Sequence, residues 1–237
     1  MSTLRLGSCS WKFPSWHGLV YSQPHDINYL REYQKRFSTV EIDQWFWSLF
    51  DTDTIGLPRQ ETVTEYLESV ESDFRFTIKA PNAVTLTHFY KRGSQRGSGP
   101  NPYFLSGALM HDFLQTIEPM QGRTGSVMLQ FEYLNKAKMS DLDEFCEKLD
   151  PFLAEASGYG WPLALEIRNP QFLRPSFFDL LRSHRIAPVF CHGYYMPPAP
   201  EVFMQDPSGF ASSSDHAVIR LLGPDRKGIE KQTKKQW

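Results

Sequence analysis

Short apolar segments alternate along the chain with stretches of helical spacing, and this alternation restricts it to folds built from β–α–β units. The apolar segments are residues 4–9, 39–43, 74–79, 126–131, 163–168, 187–191 and 217–221. Helices are expected over residues 27–37, with Asp26 as N-cap, and over 60–71, 103–120, 141–155 and 177–184. Strands joined by helical crossovers pair in parallel, so the seven segments predict an α/β domain spanning residues 1–237, a TIM-like barrel or a wide doubly wound sheet. The Gly-, Ser- and Arg-rich residues 91–102 and the Pro- and Ser-rich residues 194–215 read as loops.

Composition narrows the function classes. The chain has 237 residues, 41% of them hydrophobic, enough for one substantial core, and a net charge of -2 that lacks the basic excess of a nucleic-acid coating protein. No window approaches the ~20 apolar residues of a membrane span, and no signal-peptide pattern opens the chain. The three cysteines, Cys9, Cys146 and Cys191, contain no C-x-x-C pair and make neither a disulfide framework nor a thiolate zinc site. These features predict a cytoplasmic protein without a membrane partner. No G-x-G-x-x-G follows the first segment and no Walker pattern occurs, which argues against dinucleotide and nucleotide binding.

The polar residues of the strands fall on one parity. Side chains alternate across a strand with period two, so Val40 and Ile42 share one face and Glu41 and Asp43 the other. Thr77 and Lys79 oppose Phe76 and Ile78, and Glu166 and Arg168 oppose Leu165 and Ile167. If the aliphatic face packs on helices, then Glu41, Asp43, Lys79, Gln130, Glu166, Arg168 and Arg220 point inward at the C-terminal end, where such barrels hold their active sites. A structural ion-pair network is the competing explanation, with Glu166 and Arg168 neutralising each other or Lys79, and Glu41 anchoring Arg168 or Arg220. Burying a charge costs several kcal/mol unless it is paired, which favours a use for a group this large.

Several motifs run in order along the chain: Gly7-Ser8-Cys9-Ser10-Trp11 with Trp16-His17-Gly18 and Tyr21; Thr39-Val40-Glu41-Ile42 with Phe46; and Phe74-Arg75-Phe76 running to Lys79-Ala80-Pro81 with Thr87-His88. Val127-Met128-Leu129-Gln130-Phe131, Glu166-Ile167-Arg168-Asn169-Pro170 and Arg220-Leu221-Leu222-Gly223 complete the set. Together they resemble the YecE-like family, domain-of-unknown-function family 72. The resemblance covers nearly the whole chain. It implies a TIM-type barrel and carries no established biochemical activity. Many members have His where Asn169 and Leu222 stand, and typically continue to an eighth strand bearing two Asn and a final helix. The expectation is therefore a barrel that lacks its eighth βα unit, truncated or open after the seventh strand.

Remaining signals are weighed on chemistry. Glu41, Asp43, His88, Glu166 and His192 form a conceivable ligand set for a divalent metal, but no H-x-H or H-E-x-x-H occurs and a metal is not favoured. His17, His25, His111, His184 and His216 read as loop or helix-surface residues. Glu41 and Glu166, with Lys79, are the acid/base candidates; Asp43, Arg168 and Arg220 are assigned to substrate charge, Gln130 and His88 to orientation, and Trp11 to stacking. The basic loop around residues 91–99 is either a phosphate clamp or plain solvated chain, and the basic tail at 226–235 reads as solvated. Cys191 and His192 are adjacent on a strand and so point opposite ways. The expected function is an enzyme, a hydrolase or isomerase, for a small polar or anionic, sugar- or phosphate-like substrate. Nucleic-acid binding or repair in the manner of endonuclease-IV-like barrels and noncatalytic ligand binding are the alternatives.

Overall fold

The computed structural model describes residues 3–49, 54–89, 99–193, 195–205, 214–223 and 226–233. Six strands form one sheet: β1 (Thr39–Ile42), β2 (Arg75–Lys79), β3 (Thr124–Gln130), β4 (Leu163–Glu166), β5 (Ala187–Gly193) and β6 (Val218–Gly223). Their spatial order is their order in the sequence, and every pair is parallel. The connections carry α1 (Tyr29–Tyr33), α2 (Gln60–Glu68), α3 (Asn82–Thr85), α4 (Gly107–Thr116), α5 (Leu142–Ser157), α6 (Pro175–Ser183) and α7 (Ala199–Phe203); α8 (Arg226–Thr233) follows β6.

The period-two pattern decides which face meets the helices. Val40, Ile42, Phe76, Ile78, Val127, Leu129 and Leu165 are buried in the main core, together with Tyr33 of α1, Val63 of α2, Phe113 of α4, Phe145 of α5 and Phe177 of α6. The opposite parity forms a small second cluster of Met128, Ala164, Ala187, Val189 and Cys191 inside the curve of the sheet. That curve is deep: β1 and β6 stand at opposite ends of the strand order, yet the Arg220 guanidinium of β6 lies against the Glu41 carboxylate of β1. The sheet is a half-barrel.

Two expectations change here. The segment at residues 4–9 runs beside β1 but forms no ladder, so the described residues hold six laddered strands where seven were expected. Two direct backbone bonds join it to β1 and the residue just before it, Ser38 N–H to Leu6 O (3.3 Å) and Glu41 N–H to Ser8 O (2.9 Å), and their donors are three residues apart while their acceptors are two apart. Between them sits the Tyr33 hydroxyl, which accepts from Ser8 N–H (2.7 Å) and lies 3.1 Å from Thr39 O, to which it donates. A side chain thus bridges two backbone groups that a ladder would have joined. The second change is at α1, whose N-cap is Asn28, its side chain accepting from Arg31 N–H at 2.9 Å. Asp26 has φ 57, in the left-handed region, whereas an N-cap needs extended backbone. Among the described residues no strand follows β6; those that come next are helical, in α8.

Candidate functional site

The inward-facing polar residues meet at the C-terminal ends of the strands, as their parity requires. Arg220 is their centre. Its Nε and Nη2 donate to the two oxygens of Glu41, both at 2.9 Å, and its Nη1 donates to Glu166 Oε2 at 2.7 Å and to Gln130 Oε1 at 3.3 Å. Glu166 is fully buried, and its second oxygen accepts from Arg168 Nε at 2.5 Å. Lys79 Nζ lies 2.9 Å from Glu41 Oε1 and 3.9 Å from Asp43 Oδ2, over the Phe46 ring at 5.4 Å. Side chains from β1, β2, β3, β4 and β6, with Asp43 and Arg168 just past strand ends, form one connected network. Of the two roles foreseen for Glu41, the structure displays that of anchoring Arg220.

The electrostatics follow from burial and pairing. Burial by itself pulls the Arg220 pKa down, but the carboxylates of Glu166 and Glu41 outweigh it and hold the group above the ordinary arginine value. Asp43 is the most accessible acid of the group, half-buried with 44% of its side chain accessible. Its pKa is raised, first by burial of the carboxyl; Lys79 opposes this, Glu41 adds to it and Arg220 opposes it. Burial, with Glu166 adding its charge, pushes the Cys191 thiol up to about 12. Cys191 faces inward on β5 while His192 is exposed, so the two make no thiolate–imidazole pair.

The other candidates lie outside this network. His88 Nδ1 is 2.9 Å from Thr87 Oγ1, whose proton goes to Glu132 Oε1 at 3.3 Å. Glu132 in turn pairs with Lys138. Because Thr87 has a single proton to give, His88 Nδ1 is the donor of its pair. Trp11 packs edge-on against Tyr66, centroids 4.9 Å apart, and Tyr66 stacks on Trp45. That places Trp11 in an aromatic group on the main core. The five residues weighed as metal ligands do not converge, and among the described residues no three His, Cys, Asp or Glu side chains gather around one point. His216, read as a surface residue, is half-buried, with Nε2 3.3 Å from Ser126 Oγ of β3. Of the basic loop at residues 91–99, all but residue 99 lie outside the described residues.

Sequence reasoning missed the side chains that hold the mouth in place. Asn169 is fully buried and clasps the backbone of Leu134, accepting from its N–H at 2.9 Å and donating to its carbonyl at 2.8 Å. Asn82 Oδ1 accepts from Ser48 N–H (3.1 Å), Ser48 Oγ–H (3.1 Å) and Leu49 N–H (3.2 Å), fixing the chain after β1. Asparagine offers a donor and an acceptor in one short plane, and only its burial distinguishes these from surface asparagines.

An open pocket of about 790 Å³ adjoins the network at Gln130 and Arg168 and is walled by Glu132, Tyr133, Gln171 and Tyr195 among others. A larger depression of about 990 Å³ lies at the other end of the strands, beside Leu4, Leu6 and Phe74, and touches no member of the network. Among the described residues no helix is long and apolar enough to cross a membrane.

A family model described as a protein of unknown function, DUF72, matches residues 5–237. The fold is shared with solved structures of that description. A DUF72 family protein from Thermotoga maritima MSB8 is 21% identical, with a TM-score of 0.61 over 94% of this chain and 76% of that one. Another, from Enterococcus faecalis V583, is 18% identical, with a TM-score of 0.60 over 98% of this chain and 76% of that one. No curated protein matches the chain.

Proposed function

The chain belongs to the DUF72 family of proteins of unknown function, and from the mouth of its half-barrel we propose that it is an enzyme acting on a small polar or anionic substrate by acid/base chemistry. The observation that carries this reading is the convergence of polar side chains from five strands on one end of the interior, next to an open pocket. In open and closed α/β sheets the carboxyl ends of the strands are where ligands bind.

The division of labour follows from which groups are already engaged. Glu41 and Glu166 each accept from two cationic side chains. To take a proton from substrate either would have to give up an ion pair, so their part is to fix Arg220, Arg168 and Lys79. Asp43 is accessible, sits beside Lys79 and has a raised pKa, the properties of a carboxyl that exchanges protons with a substrate. Gln130 and Arg168 line the pocket and orient what enters it.

The test is turnover. Purified protein is incubated with a panel of glycosides, sugar phosphates and small hydroxy acids, and product formation is followed by NMR. One class is expected to turn over, with the rate falling on the order of 100-fold in Asp43→Asn, the scale of a lost general acid or base. No turnover across the panel, or an undiminished rate in Asp43→Asn, would contradict the proposal.

A further inference from the structure

The pocket beside Gln130 and Arg168 has a chemistry more specific than its location. We infer that it takes a neutral, polyhydroxylated ring, a sugar or cyclic polyol, in preference to a phosphate or other anion. This deepens the reading above and rests on it only for taking this pocket as the substrate site.

Three observations lead there. The first is the charge balance. Arg168 Nε already bonds Glu166 Oε1 at 2.5 Å, and Lys138, the cation nearest Glu132, is paired with it. Lys79 and Arg220 are likewise bound to carboxylates. Among the described residues the mouth network itself sets Glu41, Asp43 and Glu166 against Lys79, Arg168 and Arg220, leaving no excess positive charge for an anion. An entering phosphate would compete with the buried carboxylates for these cations, and a carboxylate that loses its partner is left as an uncompensated buried charge.

The second observation is the walls. Tyr133 and Tyr195 line the pocket with 55% and 89% of their surface exposed. The face of a phenol ring carries negative charge density. It repels an anion and attracts the polarised C–H groups on the flat side of a sugar ring. The third is the set of polar groups. Gln130, Glu132, Gln171 and Arg168 end in planar, two-pronged groups that between them offer both donors and acceptors. Neighbouring hydroxyls on a ring, each both donor and acceptor, match such prongs; a phosphate, chiefly an acceptor, makes little use of the pocket's acceptor oxygens and is repelled by the Glu132 carboxylate. A volume of about 790 Å³ is within the range of pockets that enclose small ligands.

The experiment is saturation-transfer NMR on the full chain with two sets of probes. One holds neutral methyl glycosides, common disaccharides and myo-inositol; the other holds inorganic phosphate, glucose 6-phosphate and citrate. At least one neutral probe is expected to receive saturation at its ring protons. Its binding should weaken by about tenfold, or ~1.4 kcal/mol, in Tyr195→Ala and in Gln171→Ala. Tyr195 is exposed, so its substitution leaves the fold intact, and circular dichroism of each variant checks this. Preferential binding of the anionic set would overturn the inference and leave the enzyme reading standing. Binding of neither set would remove both. Neutral binding that is unchanged in both variants would place the ligand elsewhere and also overturn the inference.

Discussion

Asp43 shows how a single residue departs from its neighbours. Glu41, two positions earlier on the same parity, is buried against Arg220 and Lys79, while Asp43 reaches the exposed rim. A carboxyl whose folded pKa is raised contributes stability in full below its ordinary value of 3.8 and loses that contribution as pH rises through the folded value. Ionised Asp43 is therefore a cost to the fold at neutral pH. Asp43→Asn should melt at a higher temperature than wild type at pH 7, and the gap should close as pH falls below about 3.8; a lower melting temperature at pH 7 would show that the Lys79 attraction dominates. The parity of Glu41, Asp43, Lys79, Glu166 and Arg168 was legible in the sequence, because alternation along a strand is a local property. Their partners were legible only in part: Glu166 and Arg168, two positions apart on the same parity, pair as that spacing allows, whereas the long-range pair was one of two options. Glu41 meets Arg220 across 179 positions of chain, and no local pattern distinguishes that pairing from one with Arg168.

At the scale of elements, the strands buried on both sides were readable and the edge segment was not. Val40, Ile42, Phe76 and Ile78 advertise β1 and β2 because each strand packs helices on one face. Residues 4–9 carry a similar apolar alternation, yet their path is set by a helix side chain. Gly7 passes so close to β1 that a Cβ there would lie 2.0 Å from the Thr39 carbonyl oxygen. One position later the Tyr33 hydroxyl stands between Ser8 N–H and Thr39 O. Tyr33→Phe removes that bridge and should cost about 1–3 kcal/mol, the price of stranded backbone groups. Hydrogen exchange at the Ser8 amide should accelerate in the variant well beyond the change at β2; unaltered exchange at Ser8 would mean that the hydroxyl does not hold the segment. The cap of α1 teaches the same lesson. Asp26 and Asn28 are equally good N-cap residue types, and the choice falls to backbone conformation, which sequence does not display.

For the whole molecule, the half-barrel and its charged interior are one problem. Six parallel strands in sequence order bring the C-terminal ends together on one side of the molecule, and the mouth there collects the polar parity. The outer face of β6 remains exposed at Ile219 (62%) and Leu221 (79%), and Leu4 and Leu6 beside β1 are exposed as well. Packing on the main core, which takes residues from β1 through β5 and none from β6, therefore does less to fix β6. The ion pairs from Arg220 to Glu41 and Glu166 tie it across the interior instead. Removing one partner of a buried ion pair leaves the others uncompensated, and two carboxylates are at stake here. The direct measurement is equilibrium unfolding of Arg220→Met in urea beside wild type. The expected result is a loss of about 3–5 kcal/mol. A difference within about 0.5 kcal/mol, the range of an ordinary surface substitution, would contradict the claim that this one guanidinium holds the mouth together.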